Sequence, residues 1–269
     1  MKVEILQRLP LFCEEKLLTC TPLERGLCGD DFHLIGECGE YFVRVFKKTH
    51  ILERDRENER MCQFLASKEG IASKVLFIND TLIVCEFIQG EHLGMVGDSQ
   101  IRQIAMTLKK LHMISYKGEP FSLLDYFDYH VSEAKDSEFI QADDPLIQTT
   151  RRRIKGLVPL PHVLCHNNLS IRNLLFNEKV MFSNWEYAGM NDRYFDLATV
   201  AENFDLSLAE KQMLLMSYDD MLPLPMGLKR LEDFRLIRAV LNALWFSLQE
   251  ESDVRLKAAR YLESAYTLL

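Results

Sequence analysis

The sequence predicts an α+β fold, with an antiparallel sheet and one helix at its N-terminal end and a mainly helical remainder. Three observations carry this reading. Residues 17–46 and 74–87 are runs of β-branched, aromatic and aliphatic residues broken by Gly-containing or Asn-Asp connections. A helical stretch from about Glu53 to Glu69 lies between them. Beyond residue 89 the apolar residues recur at three- and four-residue spacing instead.

Composition bounds what such a fold can do. With 269 residues, 48% hydrophobic and 27% charged, the chain can bury a core as one compact unit or as two tightly joined lobes, which argues against disorder. No apolar run reaches the roughly 18 residues of a membrane helix, and the N-terminus lacks the apolar region of a signal peptide. A cytoplasmic protein with no membrane insertion is therefore expected. The net charge of -8 argues against nucleic acid and tolerates a cationic small molecule. Cysteines at 13, 20, 28, 38, 62, 85 and 165 form no C-x-x-C pair, so neither a zinc site nor a disulfide framework is expected, and most read as small core residues. The oligomeric state is not fixed by any of these features.

Taken in order, the first strands span about Leu17 to Arg25, from Phe32, and Tyr41 to Phe46, with a loop at Gly26–Asp31 and a turn at Cys38-Gly39-Glu40. Arg44 interrupts an apolar strand and calls for a partner, unless it lies on an exposed edge. Gly70 closes the first long helix as a C-cap. Lys74–Ile78 and Thr81–Phe87 form a hairpin turned at Asn79-Asp80. Ile101, Ile104, Ala105, Leu108, Leu111 and His112 mark one face of the next helix, with His112 read as a satisfied packing residue. Arg151, Arg152, Arg153 and Lys155 read as a solvated helix face. Residues 120–160 give helices around a loop at Asp143-Asp144-Pro145, and three helices finish the chain at about 207–220, 229–250 and 253–268, with a break at Pro223–Gly227.

Residues 163–187 are the stretch with chemical character. His162–Cys165 reads as a strand, His166–Arg172 as a loop, and Leu174–Phe176 with Val180–Phe182 as a hairpin turned at Asn177-Glu178-Lys179. Polar side chains braced between short strands can be held at fixed separation, which phosphoryl transfer requires because its catalysis is mostly positioning and charge stabilisation. His166-x-Asn168-x-x-x-x-Asn173, followed by Ser183-Asn184-Trp185-Glu186-Tyr187, resembles the His-x-Asp-x-x-x-x-Asn loop and Ile-Asp-Trp-Glu segment of the aminoglycoside phosphotransferase and choline kinase superfamily. Bacterial choline kinases and thiamine kinases resemble it most in these segments.

The resemblance implies a two-lobed protein-kinase-like fold, with residues 1–88 as the nucleotide-binding lobe and 89–269 as the helical lobe with the catalytic loop and substrate region. It implies ATP and Mg²⁺ as cofactors, with Arg44 on the phosphates and paired to Glu59, and with the backbone from about Glu86 to Ile88 meeting adenine. It places Asn168 at the catalytic-base position beside His166, and Asn173, Asn184 and Glu186 at metal-ligand positions. Asp196 would brace the loop. Tyr187 and Trp245 fit the walls of a choline-like ammonium site, and Trp245 fits a buried core equally well.

Both acids that define the family are amides here. Asn168 accepts a hydrogen bond but cannot take a proton, and Asn184 offers a metal a neutral oxygen, which weakens its hold on Mg²⁺. Three readings stay open: an impaired kinase acting on a small hydroxyl-bearing cation, a pseudokinase serving as a small-molecule-binding or regulatory module, and an active enzyme into which the amides were introduced.

Overall fold

The computed structural model describes residues 3–23, 29–46, 56–119, 121–141, 143–218, 222–249 and 252–269. In chain order its elements are α1 (Val3–Leu6), β1 (Leu17–Pro22), β2 (Gly29–Gly36), β3 (Glu40–Phe46), α2 (Arg56–Lys68), β4 (Val75–Ile78), β5 (Leu82–Glu86), α3 (Asp98–His112), α4 (Leu123–Glu133) and α5 (Pro145–Gly156). They continue as β6 (Val163–Cys165), β7 (Leu174–Phe176), β8 (Val180–Phe182), β9 (Gly189–Asn191), α6 (Tyr194–Asn203), α7 (Leu208–Tyr218), α8 (Leu224–Ser247), α9 (Ser252–Arg255) and α10 (Lys257–Thr267).

These elements form two compact units, Met1–Leu93 with Ile171–Ala188, and Gly94–Ser170 with Gly189–Leu269. The sequence places a single break after residue 88; by contact the first unit runs to Leu93 and also takes in the later segment. Hydrogen bonds explain why. The Phe182 N–H donates to Ile71 O (2.8 Å), Glu91 and Phe176 exchange two backbone bonds (2.9 Å each), and the Asn58 Nδ2 donates to Ala188 O (2.8 Å). Long-range pairing of this kind leaves no periodic mark in a sequence.

In the first unit the sheet runs β1-β2-β3-β5-β4 and is antiparallel throughout. One face buries Phe32, Leu34, Val43, Leu82 and Val84 against Leu6 and Phe12, so the N-terminal helix and turn complete this core. On the other face of β5, Cys85 lies 3.3 Å from the Gln63 Nε2 of α2. The strand β2 begins at Gly29, so Asp30 and Asp31 belong to the sheet and not to the loop expected there; Gly26–Cys28 lie outside the described residues. The helix α2 is seen from Arg56, and the expected Glu53–Asp55 start also lies outside them. It ends as expected, with Gly70 at φ 69°, its N–H donating to Ser67 O and the Ile71 N–H to Ala66 O.

In the second unit, α8 is the central helix, burying Leu231, Phe234, Leu236, Ile237, Val240 and Leu244. The expected break at Pro223–Gly227 is instead its start. Pro225 sits in the first turn, where a missing N–H costs nothing, and Gly227 admits Tyr194, whose Oη would lie 2.9 Å from a Cβ there. The last expected helix is two pieces, α9 and α10. The α3 face is buried as its spacing predicts. Arg151 and Arg153 pair with Asp128 (2.8 Å) and Asp233 (2.7 Å), in keeping with a surface role. Of the described cysteines only Cys62, Cys85 and Cys165 are buried, whereas Cys13 and Cys38 are exposed, so the core assignment holds for half of them. Among the described residues no helix is long and apolar enough to cross a membrane.

A substitution at Gly70 tests the α2 cap. Gly70→Ala places a Cβ in the left-handed region, and denaturant unfolding should show a loss of about 1 kcal/mol; an unchanged midpoint would contradict the cap geometry.

Candidate active site

In the second unit the loop after β6 is shaped by one buried carboxylate. Asp196, in the first turn of α6 and fully buried, accepts from the His166 N–H (2.7 Å) and the Asn167 N–H (2.8 Å). Its Oδ2 also lies 3.2 Å from His112 Nε2, and His112 Nδ1 lies 2.8 Å from the Tyr218 hydroxyl. Burial alone would raise the Asp196 carboxyl, but the His112 hydrogen bond, the fields of His112 and His166 and the His166 N–H outweigh it and hold the carboxyl below its ordinary range. His112 is thus satisfied, as expected, and it also anchors the residue that holds the loop.

The chain then turns through Asn167 at φ 63°, a conformation that asparagine tolerates better than most residues. Its Oδ1 accepts from Asn191 Nδ2 at 2.8 Å. The Asn168 N–H donates to His166 Nδ1 at 3.3 Å, which puts the proton of a neutral His166 ring on Nε2. His166 is fully buried and Asn168 half-buried, so the imidazole acts here as an internal brace for the loop. Further along, the Asn203 carboxamide donates to Leu169 O. His112, Cys165 and Asp196 lie close enough together to suggest a metal cluster. Both His112 ring nitrogens already have partners, and burial pushes the Cys165 thiol well above its ordinary value, so the cluster is structural.

In the first unit the organising group is Arg44. Asp31 and Arg44 are direct cross-strand partners on β2 and β3, and their side chains form a two-point pair, Nε to Oδ1 at 2.7 Å and Nη2 to Oδ2 at 2.8 Å. The remaining edge of the guanidinium donates through Nη1 to the Asn184 Oδ1. Asn184 adopts φ 67°, which turns its carboxamide. The expected Arg44–Glu59 ion pair does not form. Glu59 is buried on α2 and takes Arg56 as its direct partner, Nη1 to Oε2 at 2.6 Å. Burial raises the Glu59 carboxyl; Arg56 opposes that, Glu186 adds to it, and Arg44 acts on it only through its field. The correction follows from geometry, since Asp31 lies on the neighbouring strand and reaches Arg44 first.

The other motif residues of this unit hang on the β7–β8 hairpin. Asn173 is buried, and its carbonyl accepts from the Ser183 N–H at 3.0 Å. Trp185 is fully buried and donates from Nε1 to Phe182 O at 3.1 Å, which pins the segment carrying Asn184, Glu186 and Tyr187. Glu186 is buried and Tyr187 half-buried. At the end of β5 the N–H groups of Glu86 and Phe87 donate to Lys74 O and Glu40 O, both at 3.0 Å. The first unit therefore carries Arg44, Glu59, Glu86, Ile88, Asn173, Asn184, Glu186 and Tyr187, and the second carries His166, Asn168 and Trp245. Trp245 is half-buried on α8, edge-on to Phe246 with ring centroids 4.9 Å apart.

Residues 19–223 match the model of the phosphotransferase enzyme family. The chain belongs to that family. Protein LicA of Haemophilus influenzae is 29% identical over 253 residues, covering 86% of this chain and 74% of that one. The fold of this phosphotransferase-family chain is that of two solved structures. A choline/ethanolamine kinase family protein from Mesorhizobium loti superposes with a TM-score of 0.80 at 20% identity over 98% of this chain and 92% of the other. Choline kinase LicA from Streptococcus pneumoniae superposes with a TM-score of 0.77 at 17% identity over 98% of both. The two-lobed protein-kinase-like fold expected from the sequence is thereby shown.

The family implies a divalent metal, and the donor set here does not fit a tightly held one. Of the three candidate positions only Glu186 is a carboxylate. The Asn184 oxygen already accepts from a guanidinium, and a neutral amide oxygen has no charge with which to attract a second cation. Sequence reading gives Asp31, with Asp30, as negative charge in the loop where phosphate would come, and misses it as the partner of Arg44. Counting back from the turn at Cys38-Gly39 would have paired it with Arg44, had β2 been taken to start at Gly29.

The buried Asp196 gives this site a pH signature. A carboxyl with a depressed native pKa contributes stability that is complete above its unfolded value of about 3.9 and is lost as pH falls through the native value. Asp196→Asn should remove that part of the acid sensitivity, lower stability by on the order of 3 kcal/mol and speed hydrogen exchange at the His166 and Asn167 amides. Unchanged exchange at those two amides would contradict the role given to Asp196.

Proposed function

We propose that this phosphotransferase-family protein binds ATP and a small, hydroxyl-bearing cation of the choline type and transfers phosphate slowly, because positions 168 and 184 carry amides. The observation that carries the reading is that the scaffold of the site is kept while its two reactive acids are not. Asp196 still fixes the loop backbone at His166 and Asn167, so Asn168 is held in a defined turn. Its carboxamide can orient an acceptor hydroxyl but cannot remove its proton, and such a loss costs about 10² to 10⁴ in rate. His166 serves as a positioning residue and Glu186 supplies the remaining carboxylate.

Adenine recognition falls on residues 86–88. Because Glu86 and Phe87 have given their N–H groups to the sheet, Ile88 is the donor of that trio and Glu86 contributes its carbonyl. The choice of a cationic acceptor draws on the choline and ethanolamine kinase names of the structural neighbours and on Tyr187 and Trp245. Each aromatic face contributes about 0.5 to 2 kcal/mol to holding an ammonium.

The alternative reading, a pseudokinase that binds small molecules without turning them over, is favoured by one specific contact, the Arg44 donation to Asn184. Turnover separates the two. ADP release would be followed with candidate amino alcohols for the unmodified protein, Asn168→Asp, Asn184→Asp and the double variant. The double variant should exceed the product of the single gains, as residues acting as a unit do, and should surpass the unmodified protein by about 10² or more. Equal turnover in all four would contradict the impairment, and a double variant that binds ATP without turnover would favour the binding module.

The cation site has its own test. Trp245→Ala should weaken binding of choline by about 2- to 30-fold and leave ATP binding unchanged. Equal effects on both ligands, or none on either, would return Trp245 to the core.

A further inference from the structure

We infer that the first unit binds nucleotide phosphate without a divalent cation, with the Arg44 guanidinium taking the place at Asn184 that a metal would hold. This rests on the ATP-binding reading above and deepens it.

The local geometry is specific. The Asn184 Oδ1 points at Arg44 Nη1, and the guanidinium is held on its opposite edge by both oxygens of Asp31. Arg44 is 12% exposed in its side chain, as is Asp31, so the pair is only partly screened by water. An acid at 184 could be shared between a guanidinium and a metal, since it has charge enough for both. A carboxamide shares far less well, because its oxygen is neutral and the two cations repel across it. Position 184 has therefore exchanged a metal ligand for a ligand of Arg44, and the positive charge that meets a phosphate is now covalently attached to β3.

The Asp31 pair makes the phosphate compete for that guanidinium. Asp31 occupies two of its donors, and on α2 the field of Glu186 adds to the burial that raises the Glu59 carboxyl. A polyphosphate gains here only by taking Arg44 from Asp31, because the two-point edge of the guanidinium is the one best shaped for phosphate oxygens. Asp31 is thus a built-in competitor for the nucleotide.

ATP binding would be measured by titration calorimetry in EDTA and in millimolar Mg²⁺, for the unmodified protein, Asp31→Asn, Arg44→Gln and Asn184→Asp. Affinity of the unmodified protein should agree within about twofold between the two conditions. Asp31→Asn should tighten binding in EDTA by about tenfold and Arg44→Gln should weaken it by at least that, as expected of one charge-assisted contact. Asn184→Asp should create a Mg²⁺ dependence. A gain of affinity in Asp31→Asn cannot come from misfolding, and thermal unfolding checks the variants that lose it. Binding by the unmodified protein that is more than tenfold tighter in Mg²⁺ than in EDTA would overturn this inference and leave the ATP-binding reading standing. No binding by the unmodified protein or Asp31→Asn in either condition would overturn both.

Discussion

A guanidinium on a central strand of a largely apolar sheet has to be compensated, and the way Arg44 is compensated governs the chemistry of the first unit. Isolated charge that is mostly removed from water is costly, so partners of opposite charge or good acceptors gather around it. Here β2 supplies Asp31 in register, and the segment after β8 supplies Asn184. The second contact joins elements far apart in sequence, so Arg44 ties the sheet to the hairpin that bears the candidate metal-ligand positions. Glu59 is left to Arg56, a pair within one helix.

The second unit shows the same logic with the sign reversed. Asp196 is a fully buried negative charge, and it is balanced by backbone N–H groups and by His112. Neither set of contacts needs an acid at 168 or 184. That independence explains how the fold and the loop shape persist with amides at both positions. The backbone even suits the amide at 184, since Asn184 and its neighbour in kind Asn167 both lie in the left-handed region, where asparagine is among the most tolerated residues. In the second unit scaffold and reactivity rest on different atoms, so position 168 can change without the loop.

Much of the fold was legible because it follows from local rules. The hairpins turned at Asn79-Asp80 and Asn177-Glu178-Lys179, the α3 face and the Gly70 cap all depend on residues within a few positions of one another. The motif from His166 to Tyr187 was legible for another reason, its residue types and spacing. What could not be read were pairings across long separations or through ambiguous ends. Arg44 calls for a partner, but the choice of Asp31 over Glu59 depends on where β2 begins. The return of residues 171–188 to the first unit depended on bonds to Ile71 and Glu91. Pro225 and Gly227 suggested a break because their residue types favour one, whereas Pro is accepted in the first turn of α8 and Gly227 is fitted to Tyr194.

If Asn184 belongs to Arg44 and not to a metal ion, the two carboxamides at the metal-ligand positions should be indifferent to divalent cations. A Mn²⁺ titration would show this, followed by paramagnetic broadening of side-chain amide signals in the nitrogen-15-labelled protein. The Asn173 and Asn184 carboxamide signals should broaden no more than those of exposed surface residues at the same Mn²⁺ concentration. Selective loss of those two signals at substoichiometric Mn²⁺ would place the ion at this site and contradict the assignment of Asn184 to Arg44.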